Sequence, residues 1–397
     1  MKQSGITRRR FLKASAGVVG TMLLGGMAAD TLAKPKTRKS GHWSSKGTVQ
    51  ISYNYCDICP WRCGIIVKTV NGKVLKIDGN PQDPKSRGTL CARGQAGVSF
   101  LYDPDRLKQP LLRSSERGAG NLRPVGWNEA LDQAAAQLAK IRDTYGPESV
   151  AFFGHTSGDF WFTDYFAQAF GSPNAAKPNM SLCTSPREEA SLITYGRSIG
   201  NHEPVDWEQA RCIVLIGTHI GEDARNTMMR DFANARARGA KVVVVDPRFS
   251  SAAMKADHWL PIKPGTDTAL LLAWMNVLIT EGLYDRAYVE KWTVGFDELA
   301  AHVKALTPEW AAPITDIPAE QIRESAREMG RYLPQSVIVP GRHVTWYGND
   351  TQRLRAVYII NALLGAVGRP GGLYFNKTPF LDEHPHQPYA VAGSSGG

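Results

Sequence analysis

The chain has few cysteines, six in 397 residues, and no second C-x2-C hook to partner its first. Past residue 33 it has no apolar run approaching the ~20 residues that a membrane-spanning helix needs. No internal repeat is visible. Excess charge is also missing from most of the length. The formal net charge is +10, but residues 1–50 hold ten Lys and Arg against one acidic residue, Asp30, which leaves about +1 for the remainder. The high isoelectric point therefore belongs to the N-terminus, and no basic surface for nucleic acid is indicated. The length allows two or three domains.

Those first residues have their own meaning. Thr7-Arg8-Arg9-Arg10-Phe11-Leu12-Lys13 carries a twin arginine, and a Gly- and Ala-rich apolar run follows from Ala14 to Ala29. Small residues around Thr31-Leu32-Ala33 offer a cleavage site, as in a bacterial twin-arginine export signal. The alternative is a membrane anchor, against which Gly17, Gly20, Gly25 and Gly26 weigh. The expectation is a signal peptide over 1–33, a basic linker over 34–47 and a periplasmic destination. That route carries folded proteins, so cysteines need not form disulfides there.

Cys56, Cys59, Cys63 and Cys91 are spaced C-x2-C-x3-C-x27-C. Three clustered thiolates and one distant one are what a chain needs to wrap a cubane iron–sulfur cluster, and such a cluster moves single electrons. Two other readings stay open. Four cysteines can hold structural zinc, although that usually takes two paired hooks. They can also form two disulfides, although the first three are too close together for easy mutual pairing.

The rest reads as α/β. Val49–Tyr55 alternates like a strand, and Ile65–Val70 and Lys73–Ile77 flank Asn71-Gly72, a strong hairpin signal. A small β-rich domain is expected over 48–112. Trp127–Tyr145 reads as an amphipathic helix with Ala130, Leu131, Ala134, Leu138 and Ile141 on one face, and Ser149–Gly154 as a short buried strand. Cys212–Ile216 and Lys241–Asp246 are apolar strands around a helix from about Glu222 to Arg238, a parallel βαβ unit in a doubly wound sheet. A third strand over His258–Ile262 leads through Pro264-Gly265-Thr266-Asp267 into a helix reaching about Glu281, with Thr266 as N-cap and Asp267 in the positive first turn.

Ligands sit at the carboxyl ends of such strands. Here those ends are Gly217-Thr218-His219-Ile220-Gly221 and Asp246-Pro247-Arg248. The first is G-x-x-x-G rather than G-x-G-x-x-G, so a nucleotide loop and a plain structural turn both remain open. Asp267 has the right chemistry for the two adjacent N–H donors of a guanine edge. Cys183 lies in a polar loop, Asn179-Met180-Ser181-Leu182-Cys183-Thr184-Ser185-Pro186, before a helix starting near Arg187. A thiolate there is a soft metal ligand, or else a buried inert thiol, which is the reading for Cys212.

The cluster spacing, Cys91-Ala92-Arg93-Gly94, the Cys183 loop, Asp246-Pro247-Arg248, Gly265-Thr266-Asp267 and Gly368-Arg369-Pro370-Gly371-Gly372 occur in an order that resembles the molybdopterin oxidoreductases. The resemblance implies a 4Fe–4S cluster on Cys56, Cys59, Cys63 and Cys91, and molybdenum or tungsten bis(molybdopterin guanine dinucleotide) with Cys183 as protein ligand to the metal. It places Arg93 between cluster and pterin, unless Arg93 is an ordinary surface residue. It puts Gly217, His219, Asp246, Arg248, Gly265, Thr266 and Asp267 around one dinucleotide.

The Ser-Leu-Cys-Thr-Ser loop and the run Gly341-Arg342-His343-Val344-Thr345-Trp346-Tyr347-Gly348-Asn349-Asp350 look most like the thiosulfate and polysulfide reductase catalytic subunit. Arg342 and His343 are then anion-binding candidates, or structural residues at a strand end. Tetrathionate, arsenate or nitrate reduction and formate oxidation are the alternatives within the family. The implied partners are a ferredoxin-like iron–sulfur subunit, a membrane quinol-oxidising subunit and the twin-arginine translocase.

Family members run longer, so the C-terminal pterin-binding domain is expected to be missing, its half lying on another chain or lost by truncation. The resulting division is a 4Fe–4S domain over 48–112, a partial second α/β domain over 113–180 with 335–397, and a dinucleotide-binding-like α/β domain over 181–334. A non-catalytic cluster-binding fragment and a structural zinc protein of the cell envelope are the competing classes.

Overall fold

The computed structural model describes residues 47–59, 61–154, 160–176, 185–199, 205–218, 220–221, 226–341 and 349–375. The fold is α/β, with a small antiparallel sheet followed by a parallel one.

The small sheet has the order β1 (Val49–Tyr55), β2 (Gly64–Val70), β3 (Lys73–Gly79). Val70 pairs with Lys73 across Asn71-Gly72, and both turn residues have positive φ, 50° and 72°. That conformation is the two-residue hairpin turn that Asn-Gly favours. Cys63, Ile65 and Leu90 are buried beneath the sheet, with Cys56, Trp61, Val67 and Ile77 packed around them. Two short helices follow, α1 (Ala92–Gln95) and α2 (Gly97–Leu101).

β4 (Leu111–Arg113) and β5 (Leu122–Pro124) form a ribbon ahead of α3, which spans Trp127–Tyr145 as the periodicity predicts. Its apolar face is covered only in part: Ala130, Leu138 and Ile141 are half-buried, while Trp127, Leu131 and Ala134 are exposed. The strand predicted over Ser149–Gly154 shrinks to β6 (Phe152–Phe153), paired in parallel with β7 (Ala175–Ala176) after α4 (Phe160–Phe170). It is not buried, since Phe153 is exposed. Its other residue, Phe152, is half-buried and packs edge-on against Phe166 and Phe170 of α4.

The parallel sheet is built from β8 (Cys212–Ile216), β9 (Lys241–Val245), β10 (His258–Leu260) and β11 (Ser336–Val339), in the order β10–β9–β8–β11. Both faces are covered, which is why its central strands read as unbroken apolar runs. One face sends Val214, Ile216, Val243 and Val245 against α7 (Asp267–Thr280) and α12 (Asp350–Leu363). The other sends Ile213, Leu215, Val242 and Val244 toward Met228 and Phe232 of α6 (Asn226–Ala237), in a core that also includes Ala190 of α5 (Ser185–Tyr195). Helices α8 (Arg286–Trp292), α9 (Phe296–Val303), α10 (Pro308–Thr315) and α11 (Ala319–Gly330) lie between α7 and β11 in sequence, and all four add to the first core. Helix α5 starts at Ser185, with Pro186 in its first turn, where a missing N–H costs nothing.

The boundary expected between residues 334 and 335 does not divide the sheet. β11 pairs with β8 from Ser336–Cys212 to Val339–Leu215, and the Asn361 amide of α12 bonds both backbone groups of Ile338, at 2.9 and 3.0 Å. Residues 336–363 therefore belong with β8–β10. Strands separated by some 120 residues become neighbours through a pairing that no local pattern records.

Candidate active site

The cysteine lobe is organised by its backbone. The Cys56 N–H donates to the Cys63 carbonyl at 2.8 Å, and the Arg62 N–H donates to the Cys59 carbonyl at 3.2 Å, with Arg62 at φ +50°. Cys91 occupies the N-cap of α1. Burial pushes its thiol pKa up, but the Gly94 N–H, the Arg93 side chain and the Arg93 N–H outweigh this and hold it below the ordinary value. A Cβ on Gly94 would sit 2.4 Å from Leu90 Cδ1 and 3.4 Å from Cys56 Sγ, so α1 backs directly onto the Cys56 arm. None of Cys56, Cys59, Cys63 and Cys91 is joined in a disulfide. Among the described residues no three His, Cys, Asp or Glu side chains already stand together as a metal-binding group. The lobe fits a cluster through four cysteines outside any disulfide and a thiolate-favouring Cys91. Arg93 stands beside the Cys91 thiol, next to the expected cluster.

The second site lies at the carboxyl ends of β8, β9 and β11. Gly217 has φ +56°, and a Cβ on Gly341 would meet Thr218 Oγ1 at 2.9 Å and the Ile216 carbonyl at 3.0 Å. The ends of β8 and β11 thus approach each other closely. Asp246 is buried at the end of β9. Its Oδ1 accepts from the Arg248 N–H at 2.8 Å, while its buried Oδ2 has no partner. An unpaired buried carboxylate oxygen calls for a ligand donor, and the hydroxyls or amines of a dinucleotide supply such donors.

Thr266 stands at the N-cap position of α7, but its hydroxyl donates backward to the Lys263 carbonyl at 2.6 Å and caps nothing. Its φ/ψ of −110°/11° departs from the extended backbone that side-chain capping requires. Gly265 has φ +82°, and Asp267 is buried in the first turn of α7.

Beside Asp267 is a residue the sequence does not flag. Arg353, on the first turns of α12, is buried, and its Nε lies 3.5 Å from Asp350 Oδ1. None of its three guanidinium nitrogens has a hydrogen-bond partner. Burial lowers its pKa, and Asp267 and Asp350 act against that. An Arg three residues after an Asp on a helix reads as a surface pair, so nothing short of the packing reveals it. Cys183, His219, Arg342 and His343 lie outside the described residues. The helices that follow the Cys183 and Arg342–His343 segments pack on each other, with Tyr195 Oη of α5 donating to the Tyr358 carbonyl of α12 at 2.7 Å and Tyr358 Oη donating to the Arg187 carbonyl at 3.2 Å.

Comparison with known proteins decides the family. The molybdopterin oxidoreductase family matches residues 106–393, and the molybdopterin oxidoreductase Fe4S4 domain matches residues 50–103. The chain belongs to the molybdopterin oxidoreductases. It is 35% identical over 377 residues to the thiosulfate reductase molybdopterin-containing subunit PhsA of Salmonella typhimurium, covering 94% of this chain and 48% of that protein. It is 29% identical over 447 residues to a sulfite dehydrogenase subunit of Allochromatium vinosum, covering 87% and 46%. Among solved structures, acetylene hydratase from Pelobacter acetylenicus superposes with a TM-score of 0.67 at 29% identity, over 79% of this chain and 43% of that one. The chain spans about half the length of the relatives it matches. As a member of this family it carries the 4Fe–4S and molybdopterin domains, and the four cysteines fall within the first of these matches and the strand-end residues within the second.

Proposed function

We propose that this chain forms part of a periplasmic molybdenum oxidoreductase that reduces a sulfur oxyanion or polysulfide, thiosulfate first among them, with electrons from quinol passed through iron–sulfur centres. The observation that carries the reading is a lobe of four cysteines outside any disulfide, followed in the chain by a strand-end site with an unpaired buried carboxylate oxygen, in a chain 35% identical to a thiosulfate reductase subunit. Relatives at 29–32% identity include a nitrate reductase, a dimethyl sulfoxide reductase and a formate dehydrogenase, so the family alone leaves the substrate open. The twin arginine at Arg8-Arg9 supports export by the translocase. Electrons would come from a membrane quinol-oxidising subunit through a ferredoxin-like one.

When bound, the molybdenum cofactor supplies a centre that exchanges electrons in pairs, which links a one-electron wire to two-electron chemistry. Cys56, Cys59, Cys63 and Cys91 would hold the cluster, and Arg93 would favour its reduced, more negative state. Asp246 and Asp267 would accept hydrogen bonds from the dinucleotide, with Gly217, His219, Arg248, Gly265 and Thr266 lining it. Cys183 would ligate the metal, and Arg342 and His343 would draw in a dianionic substrate.

The test is anaerobic purification, iron and molybdenum analysis, and a reduced-viologen assay with thiosulfate, polysulfide, tetrathionate, nitrate and arsenate. Iron with molybdenum and turnover of thiosulfate or polysulfide is the expected result. Preference for nitrate or arsenate would replace the substrate assignment, and iron without molybdenum would leave a cluster-binding chain with no catalytic metal. Zinc alone would remove the cluster. Cys183→Ala is expected to abolish turnover and keep the iron; retained turnover would strike Cys183 from the metal's ligands.

A further inference from the structure

Between Cys63 and Cys91 the chain runs through the β2–β3 hairpin and then a loop over residues 80–90 that folds back on the hairpin base. The fold-back is held at one side chain. Asp83 Oδ2 accepts from the Gly64 N–H at 3.0 Å, from the Ser86 N–H at 2.9 Å and from the Ser86 hydroxyl. The Gly64 carbonyl in turn accepts from the Asn80 N–H at 2.9 Å. Gly64 is thus tied to the loop through both of its backbone groups, and it directly follows Cys63. A Cβ at Gly64 would lie 2.6 Å from Asp83 Cβ, so only glycine admits the carboxylate there. On the far side of the knot, Thr89 donates from N–H and hydroxyl to the Ser86 carbonyl, and Leu90 is buried against Cys63 immediately before Cys91.

We propose that Asp83 is a positioning residue for the iron–sulfur cluster: it ligates no metal, but it locks the Cys63 arm to the Cys91 arm and keeps a fixed negative charge one residue from a ligand. The argument has two parts. Cys63 and Cys91 are 28 positions apart, so their separation depends on the tertiary contacts that join them, and Asp83 makes three of these hydrogen bonds, beside the Asn80–Gly64 bond and the packing of Leu90 on Cys63. The carboxylate also stays ionised. Burial pushes its pKa up, but the Ser86 hydroxyl and the Gly64 and Ser86 N–H groups outweigh this and hold it below the usual range. An anion near a cluster disfavours the added negative charge of the reduced form, and so lowers the reduction potential. Arg93, beside Cys91, acts in the opposite sense.

The test compares Asp83→Asn, which keeps an acceptor and loses the charge, with Asp83→Ala, which loses both. In the full anaerobically purified chain, Asp83→Asn is expected to keep its iron, with a cluster midpoint potential above that of the wild type. Asp83→Ala is expected to lose iron to a chelator about tenfold faster and to give an altered electron paramagnetic resonance spectrum of the reduced cluster. Lys76→Ala, which removes an exposed ion pair to Asp78 on the same sheet, should match wild type in all three measurements. The metal-free chain gives a separate reading of the lock: the Gly64 and Ser86 amides should exchange hydrogen about tenfold faster in Asp83→Ala. Wild-type potential in Asp83→Asn, together with wild-type iron loss, spectrum and amide exchange in Asp83→Ala, would overturn the proposal.

Discussion

Arg353 is a cation enclosed by protein, and an enclosed cation is tolerated only where carboxylates surround it. Asp267 and Asp350 provide that surrounding. Each opens a helix, where the helix dipole favours an anion, so the three charges and two helix starts form one electrostatic unit. Arg353→Met is expected to destabilise the chain by about 3–5 kcal/mol, because it leaves two carboxylates without a counter-charge. The urea midpoint measures this, and combining the change with Asp350→Asn should recover part of the loss. An unchanged midpoint would mean the guanidinium balances neither carboxylate. This residue also marks a limit of sequence reading. Gly217 and Asp246 follow their strands directly and Asp267 opens its helix, as the local signals predict, whereas Arg353 has no local signal because burial is a property of the packed helix pair.

Secondary elements were legible wherever the chemistry is local. Asn71-Gly72 dictates its turn, the Val-Val-Val-Val run gives β9, and the apolar spacing of Trp127–Tyr145 gives the bounds of α3. Periodicity says which face is apolar without saying what will cover it, so α3 is a correct helix whose Leu131 is exposed. Thr266 is the right residue at the right position with its hydroxyl turned the wrong way. β11 lies just past the boundary expected near residue 335 and joins the sheet by long-range pairing. Asn361 secures that strand, bonding the Ile338 N–H and carbonyl as well as the Val357 carbonyl at 3.1 Å. Asn361→Ala leaves the buried Ile338 backbone groups unpaired and should cost about 1–3 kcal/mol in thermal or urea unfolding. A cost near zero would show that water replaces the amide.

On the scale of the molecule, stability is unevenly shared. The parallel sheet buries two extensive apolar layers, whereas the cysteine lobe rests on Cys63, Ile65 and Leu90 with a few partly covered neighbours. A lobe with so small a core depends on its metal. Stripping iron with a chelator should therefore raise amide exchange across β1–β3 and leave β8 and β9 protected. Uniform exchange across both sheets would show that the lobe stands without the cluster. Among the described residues, no helix is long and apolar enough to cross a membrane.

The Asn361 amide seated on β11 has a final consequence. It mimics the backbone of a neighbouring strand, so the outer rim of the sheet presents a plugged socket at Ile338. A second copy of the chain could not zip onto that rim without first expelling the plug, which guards this side of the sheet against ribbon-like self-association.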